Sequence, residues 1–255
     1  MIYKENNGIK YLQFEELSNR EIINCYTTKV SGLDFSGNLE VSQREENCKK
    51  ICDILEINRN SIVSPYQKHT DIIERVDKIG ESYDGVDGLI TNKPGINLML
   101  KFADCTQIFI YDPINKAIGN IHSGWRGTVQ KIGLKAVLKM KEEYNSEPKD
   151  LIVCIGPCIK QCHFEVEEDV KEIFETEFSY LNRNYDIIKK KELEDNKYLI
   201  DTTLINRLIL EQAGVKSENI IDSGICTVCN SNILHSYRKD KEKSGRNAAI
   251  IGMKS

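Results

Sequence analysis

The residues best equipped for chemistry in this chain are its 4 histidines and 9 cysteines, and three of them fall at the ends of apolar, strand-like runs. His69 closes Tyr66-Gln-Lys-His69, ahead of the run 72–76. Cys105 follows Asp104 between the runs 97–102 and 106–112. His122 ends the run 117–122, immediately before Gly124-Trp-Arg-Gly127. Loops at strand ends are where rigid scaffolds place reactive groups. Two imidazoles and one thiolate make a catalytic zinc set with a fourth position open for water or substrate. Taken singly, each residue is more often a satisfied structural side chain. Cys105 and His122 also fit a nucleophile and its base, the equipment of a metal-independent hydrolase or amidase.

The turn 124–127 adds a second kind of chemistry. Its two glycines let the backbone approach a ligand closely, a helix start near Thr128 would expose N–H groups, and Arg126 offers a bidentate fork for phosphate or carboxylate. A tight strand-to-helix turn with Trp125 buried accounts for the same residues. Cys226-x-x-Cys229 has zinc-ribbon spacing, and Cys158 and Cys162, with His163 or His235, could complete it. The protein would then be a non-enzymatic interaction module held by structural zinc. The P-C-x-x-C of nucleobase deaminases is not met, because Pro157-Cys158 is followed by Cys162, one residue too late. P-loop, Rossmann, α/β-hydrolase and zincin motifs are absent. With 4 histidines the chain cannot ligate the several coppers of a multicopper oxidase, so zinc is favoured over copper.

These groups need a layered scaffold. Apolar or alternating runs at 22–28, 72–76, 88–91, 97–102, 106–112, 117–122, 151–155 and 248–251 predict strands. Ser42-Gln-Arg-Glu45 has capping-box spacing and predicts a helix to about Ile57. Periodic apolar residues predict further helices from Thr128, around Val170 to Phe178, and around Leu204 to Ile209, the last capped near Asp201 or Thr202 and stopped by Gly214. Interspersed strands and helices predict an α+β layered sandwich. The charged stretch 189–197 reads as a hairpin tip, which leaves one domain over residues 1–255. A net charge of −4 argues against a nucleic-acid partner. The first residues lack an apolar core of signal-peptide length and no run spans a membrane, so a cytoplasmic protein with free thiols is expected.

Four segments in order, DGLITNKPGINLMLKFADC, IGNIHSGWRG, IGPCIKQCHFEV and CT…HSYRKD…SGRNAAIIG, resemble the YfiH-like or laccase-domain family. That family, long labelled multicopper polyphenol oxidase, comprises zinc-dependent purine nucleoside phosphorylases. The resemblance covers nearly the whole chain. It implies a four-layer sandwich of mixed sheets flanked by helices, similar to the catalytic domain of cytotoxic necrotizing factor. It implies His69, Cys105 and His122 as zinc ligands with Asp104 their neighbour; Asp104 is then expected as a catalytic residue that orients a histidine or manages a proton on the base, with Arg126 or Arg246 on phosphate. Gln67-Lys-His69 carries Lys where the family has an aliphatic residue, and Gln107 stands where proline is usual. Tyr26-Thr-Thr-Lys29 has Lys for the family's Arg. The implied activity is phosphorolysis of inosine, adenosine or guanosine, with adenosine deaminase and methylthioadenosine phosphorylase side activity.

Overall fold

Most of the apolar runs are strands whose two faces are both covered, and the layers follow from that. The computed structural model describes residues 1–20, 22–182, 184–191 and 196–254. Its first strands are β1 (Ile2–Asn6), β2 (Ile9–Gln13), β3 (Ile22–Thr27), β4 (Ile62–Val63) and β5 (Ile73–Arg75). The central ones are β6 (Gly88–Thr91), β7 (Asn97–Phe102), β8 (Thr106–Asp112), β9 (Ala117–Ser123) and β10 (Ile152–Ile155). The last are β11 (Glu165–Val166), β12 (Ile188–Lys190), β13 (Tyr198–Ile200), β14 (Ile220–Asp222) and β15 (Asn247–Met253). The helices are α1 (Glu15–Ser18), α2 (Val41–Leu55), α3 (Trp125–Val129), α4 (Ile132–Tyr144), α5 (Glu168–Asn182), α6 (Thr202–Gln212) and α7 (Tyr237–Asp240).

Two six-stranded mixed sheets, β1-β2-β3-β15-β7-β4 and β14-β10-β8-β9-β6-β5, form the centre, with a small β11-β13-β12 sheet beside them. The period-2 alternation of a strand splits β7 cleanly. Leu98, Leu100 and Phe102 face the other sheet, where Leu89, Phe109, Tyr111 and Ile118 meet them. Met99, on the opposite face, packs with Cys25 and Ile250 under Cys48 and Ile51 of α2. Ile108, Ile110 and Ile121 turn outward in the second sheet, under Ile132, Ala136 and Met140 of α4 and Leu210 of α6. Helix, sheet, sheet and helix thus succeed one another, and the strands are continuously apolar because both of their faces are buried. No helix among the described residues is long and apolar enough to cross a membrane.

Two local expectations differ from the structure, and one holds. Ser42 does not cap α2, which starts at Val41 with Glu40 as its N-cap and no side-chain cap bond. The helix expected from Thr128 is two helices, divided at Lys131, whose backbone is left-handed at φ 58°. Asp201 does cap α6, its side chain accepting the Leu204 N–H at 2.8 Å. The charged stretch 189–197 begins in β12 and leads to β13, which pairs with β12 antiparallel; residues 192–195 lie outside the described residues. Strands β1, β2, β4 and β11 to β14 are too short or too polar to stand out in the sequence.

Candidate metal centre

The chain passes from the first sheet to the second through Ala103, Asp104 and Cys105, which connect β7 to β8. Asp104 makes this turn in a left-handed conformation, φ 86°, and His69 is held at φ 59°. Such conformations are costly for residues other than glycine and persist where surrounding contacts over-determine them. Here those contacts are visible. Both carboxylate oxygens of Asp104 are occupied, one by the Thr227 hydroxyl and the other by the Arg238 backbone N–H, each at 2.6 Å. The Gln67 side chain donates to the Lys101 carbonyl and accepts the Lys101 N–H, at 3.0 and 2.8 Å, docking the 66–69 loop beside β7.

The fully buried carboxylate of Asp87 organises both histidines. It accepts from His122 Nδ1 at 2.7 Å and from the backbone N–H groups of Lys68, His69 and Thr70 at 3.1, 3.1 and 2.7 Å. The Thr70 hydroxyl adds a contact at 2.9 Å. Burial by itself would raise the Asp87 carboxyl, and the bonds from His122 and Thr70 outweigh it and keep the group below the usual carboxylate range. With Nδ1 engaged, Nε2 is the nitrogen that His122 turns to Cys105, the arrangement in which an outer carboxylate fixes the tautomer of a ligand. The carboxylate on a ring nitrogen is therefore Asp87 and not Asp104; Asp87 opens the segment DGLITNKPGINLMLKFADC, but no local pattern ties it to His122.

His69, Cys105 and His122 come together, their donor atoms all within 4.8 Å of one another. The two imidazoles meet edge to face at 5.0 Å. Burial pushes the Cys105 thiol up, but the His122 charge and hydrogen bonds from His122 and His69 bring it down to about 6. Burial likewise lowers His122, and the Cys105 thiolate and Asp87 carboxylate raise it to about 9. A borderline-soft ion suits this set, because the thiol is already disposed to ionise and the imidazoles point at one place. Gly124 is required beside it, since a Cβ there would lie 2.9 Å from His69 Cδ2 and 3.3 Å from Cys105 Sγ. Gln107 stands beyond the Asp104–Cys105 turn. It lies inside β8 opposite His122, buried against Gly156, and its amide atoms have no hydrogen-bond partner among the described residues.

The three donors form part of the wall of a cavity of about 540 Å³. Arg44, Lys101, Arg238 and Arg246 also line it, against one carboxylate, Asp104. Burial, and then the Arg44 charge, lower Lys101 from the ordinary lysine range. Neither Lys101 nor Arg44 was legible as a site residue, because one reads as an interruption of a strand and the other as solvated helix surface. Arg246 faces the cavity while donating to the Ser244 and Gly245 carbonyls at 3.0 and 2.9 Å. Arg126 is exposed, stacked 4.4 Å from the centre of the Trp125 ring, and is not part of the cavity wall. The helix behind it has only 5 residues. Thr27 and Thr28 stand apart, their hydroxyls committed to the Ala248 N–H and the Lys10 carbonyl.

The remaining cysteines divide as their surroundings dictate. Cys25, Cys48, Cys52, Cys154 and Cys158 are buried, and no disulfide forms. Cys158 turns its sulfur to Thr203, 3.3 Å away. Cys162, His163, Cys226 and Cys229 form a second cluster, without Cys158 or His235. His163-Phe164-Glu165 makes an H-x-E triplet, of which only His163 belongs to the cluster; the Glu165 carboxylate is paired with Lys191 at 2.6 Å.

Fold and site together define a mixed-sheet α+β protein with a histidine–cysteine cluster in a cationic cavity. Residues 33–254 match the family described as "Multi-copper polyphenol oxidoreductase laccase", and the chain belongs to that family. It is 31% identical to the purine nucleoside phosphorylase YlmD of Bacillus subtilis, over 93% of this chain and 90% of that protein. It is 37% identical to a purine nucleoside phosphorylase of Bacteroides thetaiotaomicron, over 65% of this chain and 60% of that protein. The crystal structure of YlmD from Geobacillus stearothermophilus superposes with a TM-score of 0.89 at 26% identity, covering 100% of this chain and 99% of that one. The YfiH protein of Bacillus licheniformis does so with a TM-score of 0.87 at 26% identity, covering 99% of both.

Proposed function

We propose that this protein is a purine nucleoside phosphorylase that takes inosine, adenosine or guanosine with phosphate to the free base and ribose 1-phosphate. The observation that carries this reading is the meeting of His69, Cys105 and His122 in the wall of a cavity that also holds Arg44, Lys101, Arg238 and Arg246. A zinc ion on those three ligands would supply Lewis acidity and a vacant position. Copper fits less well, because the 4 histidines cannot build the several copper centres of a multicopper oxidase.

In phosphorolysis the C1′–N9 bond breaks as a phosphate oxygen bonds to C1′. Positive charge builds on the ribose, N9 leaves with the electron pair, and the proton that the phosphate gives up as its oxygen bonds to C1′ ends on the base. Lys101, Arg44 and Arg246 hold the phosphate beside the sugar, each charge-assisted bond contributing about 1.5–3 kcal/mol. Asp87 keeps His122 in one tautomer and His69 in one backbone conformation, so no reorganisation is needed when substrate arrives. Asp104 positions the Cys105 turn by holding Thr227 and Arg238. Trp125, Tyr66 and Phe164 offer apolar faces for the purine. Adenosine deamination and methylthioadenosine phosphorolysis are side activities of the same site.

The low Cys105 thiol supports a second reading, a Cys/His hydrolase or amidase in which His122 is the base and Asp87 its orienting carboxylate. One experiment separates the two. Inosine is followed by chromatography with and without phosphate, for the metal-loaded protein, the chelated protein and Cys105→Ala. The phosphorylase reading requires hypoxanthine release that depends on phosphate and disappears on chelation and in the variant. Release independent of phosphate means hydrolysis, and turnover by metal-free protein that alkylation abolishes means that Cys105 is the nucleophile. Undiminished turnover in Cys105→Ala sinks both.

A further inference from the structure

We propose that Cys162, His163, Cys226 and Cys229 form a second metal site, a closed Cys3His zinc centre that fastens the 156–164 loop to the 226–230 turn. The spacing of the donor atoms supports it. Cys162 Sγ lies 3.7 Å from Cys226 Sγ and 3.8 Å from Cys229 Sγ. His163 Nδ1 lies 3.2, 3.7 and 3.5 Å from the sulfurs of Cys162, Cys226 and Cys229. Zn–S bonds of about 2.3 Å and Zn–N bonds of about 2.0–2.1 Å give a tetrahedron with S···S edges of about 3.8 Å and S···N edges of about 3.5–3.6 Å. The five measured edges scatter around those lengths, so a single ion fits at the centre. A disulfide does not account for them, since bonded sulfurs lie about 2.05 Å apart.

The surrounding backbone has the form of a knuckle. The Asn230 N–H and side chain both close on the Cys226 carbonyl, at 3.0 and 2.8 Å. His163 is a turn residue, its N–H donating to the Lys160 carbonyl at 2.9 Å. Four nitrogen and sulfur donors leave no vacancy for substrate, in contrast to the three at His69, Cys105 and His122, so the centre is structural. It also bears on the first site. Thr227, inside the Cys226-x-x-Cys229 turn, donates to Asp104, and Arg238 of the cavity donates to the His163 and Glu165 carbonyls at 2.8 and 2.9 Å. The ion would therefore brace, through Thr227, the turn that carries Cys105.

The test uses the full chain and is independent of catalysis. Cys105→Ala, stripped of metal under reducing conditions, is titrated with cobalt(II) and then zinc. The expected result is one tight equivalent of cobalt with intense thiolate charge transfer and tetrahedral d–d bands, displaced stoichiometrically by zinc. Adding Cys229→Ser weakens the charge transfer and lowers cobalt affinity at least tenfold, and metal analysis of Cys226→Ser/Cys229→Ser in the otherwise unaltered chain shows one equivalent less than wild type. Should a serine variant fail to fold, the Cys105→Ala titration still decides, because all four proposed ligands remain. Absence of a thiolate–cobalt band in Cys105→Ala, or the same band after Cys229→Ser, overturns the proposal.

Discussion

Replacing Asp87 by Asn tests whether one buried carboxylate holds the first site together. The side chain keeps its size and loses its charge. One oxygen now faces His122 Nδ1 and the His69 N–H, and the other faces the Lys68 and Thr70 N–H groups and the Thr70 hydroxyl. An amide presents an NH2 to one of these sets, whichever way it flips, so at least two donors lose their acceptor. Breaking a buried, hydrogen-bonded charge pair by removing one partner costs about 3–5 kcal/mol. Against a total stability of about 5–15 kcal/mol this is a large share, and at about 2–4 °C per kcal/mol it lowers Tm by on the order of 10 °C. Loss of the carboxylate that orients a ligand also weakens metal binding by about 10- to 100-fold. Urea and thermal unfolding of the metal-free protein, followed by circular dichroism, measures the first effect, and competition with a chromophoric chelator measures the second. Asp84→Asn is the control, because Asp84 pairs with Lys68 at 2.7 Å on the exposed surface, where an ion pair contributes little to stability. If Asp87→Asn is as stable as the control and binds metal as tightly as wild type, the assignment of Asp87 as organiser of the site is wrong.

Three further outcomes are expected. Gly124→Ala, which places a methyl 2.9 Å from His69 Cδ2, weakens metal binding at least tenfold by chelator competition and moves Tm little, because the Gly124 backbone (φ −68°, ψ 174°) suits alanine. Lys101→Gln raises the KM for phosphate about 10- to 100-fold, the equivalent of one charge-assisted bond of about 1.5–3 kcal/mol, whereas Arg126→Gln leaves it within about twofold; equal effects in steady-state assays would refute the placement of phosphate. Burial lowers His235 below its usual value, and the Leu33 carbonyl, which its Nε2–H reaches at 2.9 Å, only partly offsets this. Its native pKa is therefore below that of the unfolded chain, about 6.5, so the stability it contributes is intact above that value and is lost as the pH falls through the lowered native one. In urea titrations between about pH 7.5 and 5, wild type should lose more stability than His235→Gln.

The sequence by itself determined the reactive residue types and the strands that carry them. The runs 88–91, 97–102 and 106–112 are strands at those bounds, because continuous apolar stretches between turn residues bury on both faces. His69, Cys105 and His122 could be nominated because each stands at a strand end or in a turn beside one. Their convergence was not legible in local patterns, since it depends on β7 and β8 belonging to different sheets, so that Cys105 lies on the crossing between layers. The tertiary structure alone decided that Asp87, and not Asp104, serves His122, because that bond spans 35 residues. It alone placed Arg44 and Lys101 in the cavity while leaving Arg126 outside, since a cation's partner depends on which face of its own element is covered. It also chose Cys162 and His163, in place of Cys158 and His235, as the companions of Cys226 and Cys229. Spacing along a chain names candidates within a few residues, whereas donors separated by dozens of residues are joined only when packed layers bring their loops to the same end of the sheets.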